Sequence, residues 1–330
     1  MTGSLAGPAT GVPAIDVPTL ELAPVDITPW RRGNTDIDYV TTFDSGRPGP
    51  HLMINALTHG NEISGAHALK FLFEAEARPV RGKLTLSFAN VAAYEAFDAA
   101  APQASRYLDE DFNRLWGPDF GDGGTHRSCE RARALAMLPV VCDVDHLLDL
   151  HSMGIDGPPL LVAGPLTKSR TLAEALAYPG VIVVDDGHPS GTRLRDFGAW
   201  ADPDRVRTAA LVECGQHGRR ASVDVAIQTC VRFLAYFAAV PADFVAEHLA
   251  PGTPAPQRVV EVSELVWVRQ PAFRFVRDFV GLEVIARRGT LIADDGDSPV
   301  RTPHDDCVLV MPSVDLTPGV TAVRLGRFIA

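Results

Sequence analysis

The chain has 330 residues, 46% of them hydrophobic and 22% charged, and a formal net charge of −11. That composition is ordinary for a soluble globular protein with a sizeable core, in one large domain or two modest ones. The acidic balance and the lack of a Lys/Arg run argue against nucleic acid as a partner, and no apolar run reaches membrane-spanning length. Five cysteines, at 129, 142, 214, 230 and 307, form no C-x-x-C pair. They read as reduced thiols in a cytoplasmic protein, not as a disulfide frame or a sulfur metal site. No basic residue precedes Arg31 and no signal-peptide apolar region opens the chain.

Met1–Pro29, rich in Pro, Gly and Thr, reads as a partly ordered arm. Asp36–Phe43 alternates like a strand, and the turn Ser45–Pro50 leads into an apolar strand, His51–Leu57. Ile63, Ala66, Leu69 and Phe73 give Glu62–Glu76 a helical face. Lys83–Ala89 predicts a buried strand and Val91–Asp98 a helix. Pro102–Gly124 is a long irregular stretch, and such loops are often functional. A helix follows over Arg127–Leu138, then a strand over His146–Leu150 that ends at His151. Strands over Leu160–Ala163 and Val181–Val184 flank a helix, Ser169–Leu176. Asp185–Pro203 is polar and predicts a surface loop. Thr208–Val212 predicts a strand ending at Glu213, before a long helix, Ser222–Ala239, with Ser222 as its N-cap.

Strands alternating with helices predict an α/β fold with a mostly parallel sheet covered on both faces. After Ala250 the pattern changes. Pro251–Pro256 reads as a linker, and short strands and turns follow without helix signals. The expected organisation is therefore a catalytic domain over 1–250, including the arm 1–29, and a small all-β domain over 255–330. No internal repeat or low-complexity tract is present.

The most informative stretch is Asn55–Gly65, NALTHGNEISG. It puts His59 and Glu62, three residues apart, where a strand ends and a helix begins. Imidazole and carboxylate suit zinc, and a catalytic zinc takes three protein ligands and leaves one position open. Strands of an open α/β sheet carry their sites at the carboxyl ends, where His151 and Glu213 also fall. His151 is the preferred third ligand. His146, five positions away, competes with it but faces the other side of the strand. Asp149 shares the face of His151 and is placed to orient a ligand histidine.

Four motifs in order carry a family resemblance: His59-Gly60-Asn61-Glu62, Arg106-Tyr107-Leu108-Asp109-Glu110-Asp111-Phe112-Asn113-Arg114, Asp149-Leu150-His151 and Val212-Glu213-Cys214-Gly215-Gln216. Over residues 50–220 the chain resembles the succinylglutamate desuccinylase/aspartoacylase family, a branch of the zinc carboxypeptidase-like hydrolases. The resemblance implies a carboxypeptidase-like mixed sheet flanked by helices, with a small C-terminal β domain. It implies one zinc held by His59, Glu62 and His151, with Glu213 as general base. Arg106 would polarise the scissile carbonyl, and Asn113 and Arg114 would bind the α-carboxylate.

The implied function is a zinc-dependent deacylase of small N-acyl amino acids, a reading with which a homo-oligomer is compatible. A peptide carboxypeptidase, a non-catalytic binding protein and a Ser152 nucleophile are the competing readings. No G-x-S-x-G elbow supports the serine. Contacts to the rest of the substrate stay open. The tyrosine that aspartoacylases take from their C-terminal domain has no counterpart, since no tyrosine follows Tyr236. Arg193, Arg195 and His217 are the remaining candidates, and Cys214 alternates away from Glu213 as a packing residue.

Overall fold

A computed structural model of the protein describes residues 20–329 apart from 119, 121–126, 189 and 253. Most of the expected arm lies outside them, but its last part is anchored: Leu22, Val25 and Ile27 are buried in the main core. The elements in chain order are β1 (Val40–Asp44), β2 (His51–Ala56), α1 (Ile63–Glu74), β3 (Lys83–Phe88), α2 (Val91–Glu95), α3 (Cys129–Asp143), β4 (His146–Met153), β5 (Leu160–Ala163), α4 (Thr167–Leu176), β6 (Val181–Val184) and β7 (Thr208–Gln216). Then come α5 (Arg220–Tyr236), α6 (Ala242–His248), β8 (Arg258–Trp267), β9 (Arg274–Phe275), β10 (Glu283–Ile285), β11 (Leu291–Asp295), β12 (Ser298–Arg301), β13 (Cys307–Val310) and β14 (Thr321–Ile329).

The fold is α/β, with a large mixed sheet flanked by helices. Its strand order is β1-β3-β2-β4-β7-β5-β6-β8-β14-β13-β10. The centre is parallel, with β2 between β3 and β4 and β4 beside β7. β1 on β3 and β5 on β7 run antiparallel, so the sheet is less uniformly parallel than the strand–helix alternation predicts. β8 continues the sheet. It pairs with β6 in parallel through Arg258–Glu261 and with β14 antiparallel along most of its length. Strands β12, β11 and β9 form a separate small antiparallel sheet.

Alternation along the central strands decides what each face buries. Leu52, Ile54, Leu148, Leu150, Val212 and Cys214 join α1, α4 and α5 in one core. Met53, Leu147 and Ala209 point the other way, against α3 and the Phe112–Trp116 loop. Asn55, Asp149, His151 and Glu213 belong by alternation to this second face, where apolar packing gives way to polar groups.

Some boundaries move. β4 and β7 run past their expected ends, so His151 and Glu213 sit inside strands. α3 continues through Pro139 to Asp143. α5 starts before Ser222, which is no cap: its hydroxyl donates to the Gln216 carbonyl at 2.7 Å. α6 and β12 carry no clear signal in the sequence.

Candidate metal centre and active site

At the end of β2 the chain must reverse sharply to offer His59 beside the sheet. Leu57 takes the left-handed region at φ 60 to do so. Gly60 follows, and a Cβ there would run into the Ala93 backbone and the Ser105 carbonyl, so the close approach requires glycine. Glu62 precedes α1 but does not cap it with its side chain. The carboxylate turns instead to two imidazoles. Its Oε1 lies 2.6 Å from His59 Nδ1 and its Oε2 2.9 Å from His151 Nδ1. The Ser152 N–H donates to Oε2 at 3.1 Å. Burial alone would raise this carboxyl, but His59 and His151 hold it well below the usual range.

The far nitrogens of the histidines are also engaged. His151 Nε2 lies 2.8 Å from Asp149 and His59 Nε2 lies 3.0 Å from Asp111. Asn55 and the Thr58 hydroxyl donate to Asp149 at 2.8 and 3.0 Å, and Ser87 donates to Asn55. The polar residues of NALTHGNE thus act together: Asn55 and Thr58 fix the aspartate that orients His151. Ligand histidines commonly carry a carboxylate on their second nitrogen, which leaves the first free for an ion. His59, Glu62 and His151 are buried, and one donor atom from each lies within 4.8 Å of the others. This donor set fits a divalent metal.

Glu213 is the register partner of His151 across β4 and β7. Its Oε2 is buried with no hydrogen-bond partner among the described residues. Burial, then the charge of Glu62, push its carboxyl up to about 8. Arg106 lies 3.4 Å from Glu62, 2.9 Å from His59 Nε2 and 3.5 Å from Asp111. Burial works against its charge, but Asp111, Glu62 and Glu213 raise its pKa overall. Arg114 donates to the Asn113 carbonyl at 2.7 Å and lies 3.8 Å from Asp111. Burial lowers its pKa to about 10. The Asn113 side-chain oxygen accepts from Leu194 N at 2.8 Å, which leaves its amide N–H groups as donors.

These side chains line one cavity of about 1070 Å³. Its far wall comes from the C-terminal segment, with Met311–Thr321 and Arg324. A profile of the succinylglutamate desuccinylase/aspartoacylase catalytic domain matches residues 48–186, a span holding His59, Glu62, Arg106, Asn113, Arg114 and His151. Over that span the chain matches the succinylglutamate desuccinylase/aspartoacylase family.

Relatives of the chain include the succinylglutamate desuccinylase of Burkholderia pseudomallei, 23% identical over 314 residues, which cover 89% of this chain and 84% of that protein. Among solved structures, a succinylglutamate desuccinylase from Vibrio cholerae matches with a TM-score of 0.64 at 16% identity, covering 88% of this chain and 85% of its own. A product-bound ectoine utilization protein from Ruegeria pomeroyi matches with a TM-score of 0.62 at 15% identity, covering 89% and 92%. At these identities the solved structures establish the shared fold.

Within this family frame, the remaining candidates separate. His146 lies on the other face, stacked on Phe237 at 4.3 Å. Cys214 is in the core, and all five cysteines are free. Arg193 reaches the cavity wall but is taken up by Asp185 at 2.6 and 3.0 Å and by Asp196 at 2.6 Å. Arg195 donates to the Val162 carbonyl at 2.9 Å and is not on the wall. His217 does reach the cavity, where its Nδ1 lies 2.8 Å from Ser152 Oγ; burial lowers its pKa to about 4 and keeps it neutral. Ser152 lies within β4, not at a strand–turn–helix elbow.

Two residues escaped the sequence reading. Asp111 sits inside a quoted motif, but nothing in its spacing tied it to His59. Arg324 is one of two arginines in the otherwise apolar strand β14; it reaches the cavity from the C-terminal segment, 3.5 Å from Asp185.

Proposed function

We propose that the protein is a zinc-dependent amidohydrolase that cleaves a small N-acyl amino acid, or a related carboxylate-bearing amide, into a carboxylate and an amine. The observation that carries this reading is the convergence of a His–Glu–His donor set, a buried Glu213 oxygen without a hydrogen-bond partner among the described residues, and Arg106 and Arg114 in one cavity. His59, Glu62 and His151 would hold the ion, and two imidazoles with one carboxylate leave a position open. Bound there, zinc supplies Lewis acidity and a nucleophilic water at neutral pH.

Glu213 takes the proton from the attacking water and passes it to the leaving nitrogen. Its Oε2, without a hydrogen-bond partner among the described residues, suits that transfer. Arg106 offers positive charge where the carbonyl oxygen becomes anionic. Arg114 and the Asn113 amide bind the α-carboxylate; a guanidinium fork matches its two oxygens. Asp111 and Asp149 hold the two histidines in register. The wall formed by Met311–Thr321 restricts the cavity and supports a small substrate over a peptide, and we assign that role to the C-terminal β segment.

The test is a panel of N-acetyl, N-succinyl and N-formyl amino acids, their α-esters and short peptides. Release of a free amino acid, lost when the α-carboxylate is esterified, is the expected result. Release of C-terminal residues from peptides instead would move the protein to the carboxypeptidases.

A further inference from the structure

Glu130 is fully buried in the first turn of α3 and lies outside the cavity. Carboxylates are rarely buried without strong compensation. Here it comes from a row of donors. Oε1 accepts from the Leu108 N–H at 2.7 Å and from the Asn90 amide at 3.2 Å. Oε2 accepts from the Asp109 and Glu110 N–H groups at 3.1 and 3.4 Å and from the Cys129 thiol at 3.0 Å. Three successive backbone N–H groups therefore converge on one carboxylate, an anion nest with its anion built in.

The attachment is reciprocal. Asp109 accepts from Cys129 N at 2.8 Å, and Glu110 accepts from the Ser128 hydroxyl and lies 3.5 Å from Arg131. Asp109, Cys129 and Glu130 lie within ligand distance of one another. Their acceptor atoms already serve N–H groups, and the thiol is pushed up to about 12, first by burial and then by the two carboxylates, so it stays a donor. The cluster is an anchor. Burial would raise the Glu130 carboxyl, but the Leu108 N–H, the Cys129 thiol and Asn90 hold it below the usual range.

The residues it grips, 108–110, sit between Arg106 on one side and Asp111, Asn113 and Arg114 on the other. We propose that Glu130 is a positioning residue that holds the 106–114 loop so that its arginines and Asn113 face the cavity. The kinetic consequence rests on the hydrolase reading above; the structural one does not.

Glu130→Gln keeps the shape but replaces an acceptor oxygen with an NH₂ group facing N–H donors. Amide hydrogen exchange on the full chain is measured first. Exchange over 106–114 is expected to rise about ten-fold or more, the scale of one lost charge-assisted hydrogen bond. Segments 146–153 and 208–216 should keep wild-type rates. Unchanged exchange over 106–114, or an equal rise everywhere, would overturn the proposal. If Glu130→Gln does not fold, Glu130→Asp, which keeps the charge and shortens the reach, is read the same way.

In kinetics, Glu130→Gln should lose more kcat/KM on a free-acid substrate than on its α-methyl ester, and adding Arg114→Ala should cost little further. Equal loss on both substrates, or full additivity, would contradict action through Arg114 and Asn113. A wild-type protein inactive on the whole panel would refute the hydrolase reading and leave the exchange result to decide Glu130.

Discussion

His151 and Glu213 are direct register partners on the parallel strands β4 and β7, and both face away from the core that holds Leu150 and Cys214. The strand pairing itself therefore sets a metal-ligand candidate beside a buried carboxylate. Glu213→Gln preserves shape and removes the ability to accept and return a proton. It should retain bound metal while kcat falls by roughly 10²–10⁴, the scale of general acid–base catalysis. Metal content with steady-state kinetics checks this, and near-normal kcat would remove Glu213 from the base role.

Arg114 belongs to binding in this scheme. Its fork already donates once to its neighbour's carbonyl and is only loosely paired with Asp111. Arg114→Ala should raise KM for a free-acid substrate about ten-fold or more and change KM for the ester little. Equal KM values for wild type and variant on the free acid would contradict the clamp.

Arg193 tests the opposite role. Asp185 holds it through two hydrogen bonds, and both side chains are buried. Burial would raise the Asp185 carboxyl, yet Arg193 and then Arg324 keep it down at about 2. Asp185→Ala leaves the buried Arg193 to Asp196 and takes Asp185 away from Arg324, and should cost about 3 kcal/mol in denaturant unfolding, the low end for a broken buried pair. A loss under 1 kcal/mol, on the scale of an exposed ion pair, would show that the pair is not a structural support.

His146 predicts a pH effect remote from the site. Burial lowers its pKa from 6.5 to about 4. Between these values the unfolded chain binds a proton that the folded chain does not, so stability falls as pH drops from about 6.5 toward 4 and is unaffected above. His146→Phe should reduce the slope of that part of the profile, to which the buried His217 also contributes. Parallel denaturation curves at pH 7.5 and 5 test it; an unchanged slope in the variant would assign the acid sensitivity elsewhere.

Much of the candidate site was legible because its residues sit at strand ends and in short motifs. Local spacing places His59 next to Glu62, and strand alternation separates His151 from His146. The Asp111 contact to His59 was not legible, since it bridges a loop and a strand end that only the fold brings together. The fate of Arg193 turns on Asp185, eight residues away across an irregular loop with no period to read. The C-terminal strands were visible as strands. Their continuation of the main sheet through β6 and β8 depends on non-local pairing that alternation cannot encode.

The central claim is that His59, Glu62 and His151 hold a metal on which amide hydrolysis depends. The most direct measurement is metal content alongside deacylase activity in purified protein, before and after a chelator and after zinc is restored. About one zinc per chain, activity lost with the metal and regained on its return, and neither in His151→Ala, is the predicted result. Full deacylase activity in metal-free protein would contradict it.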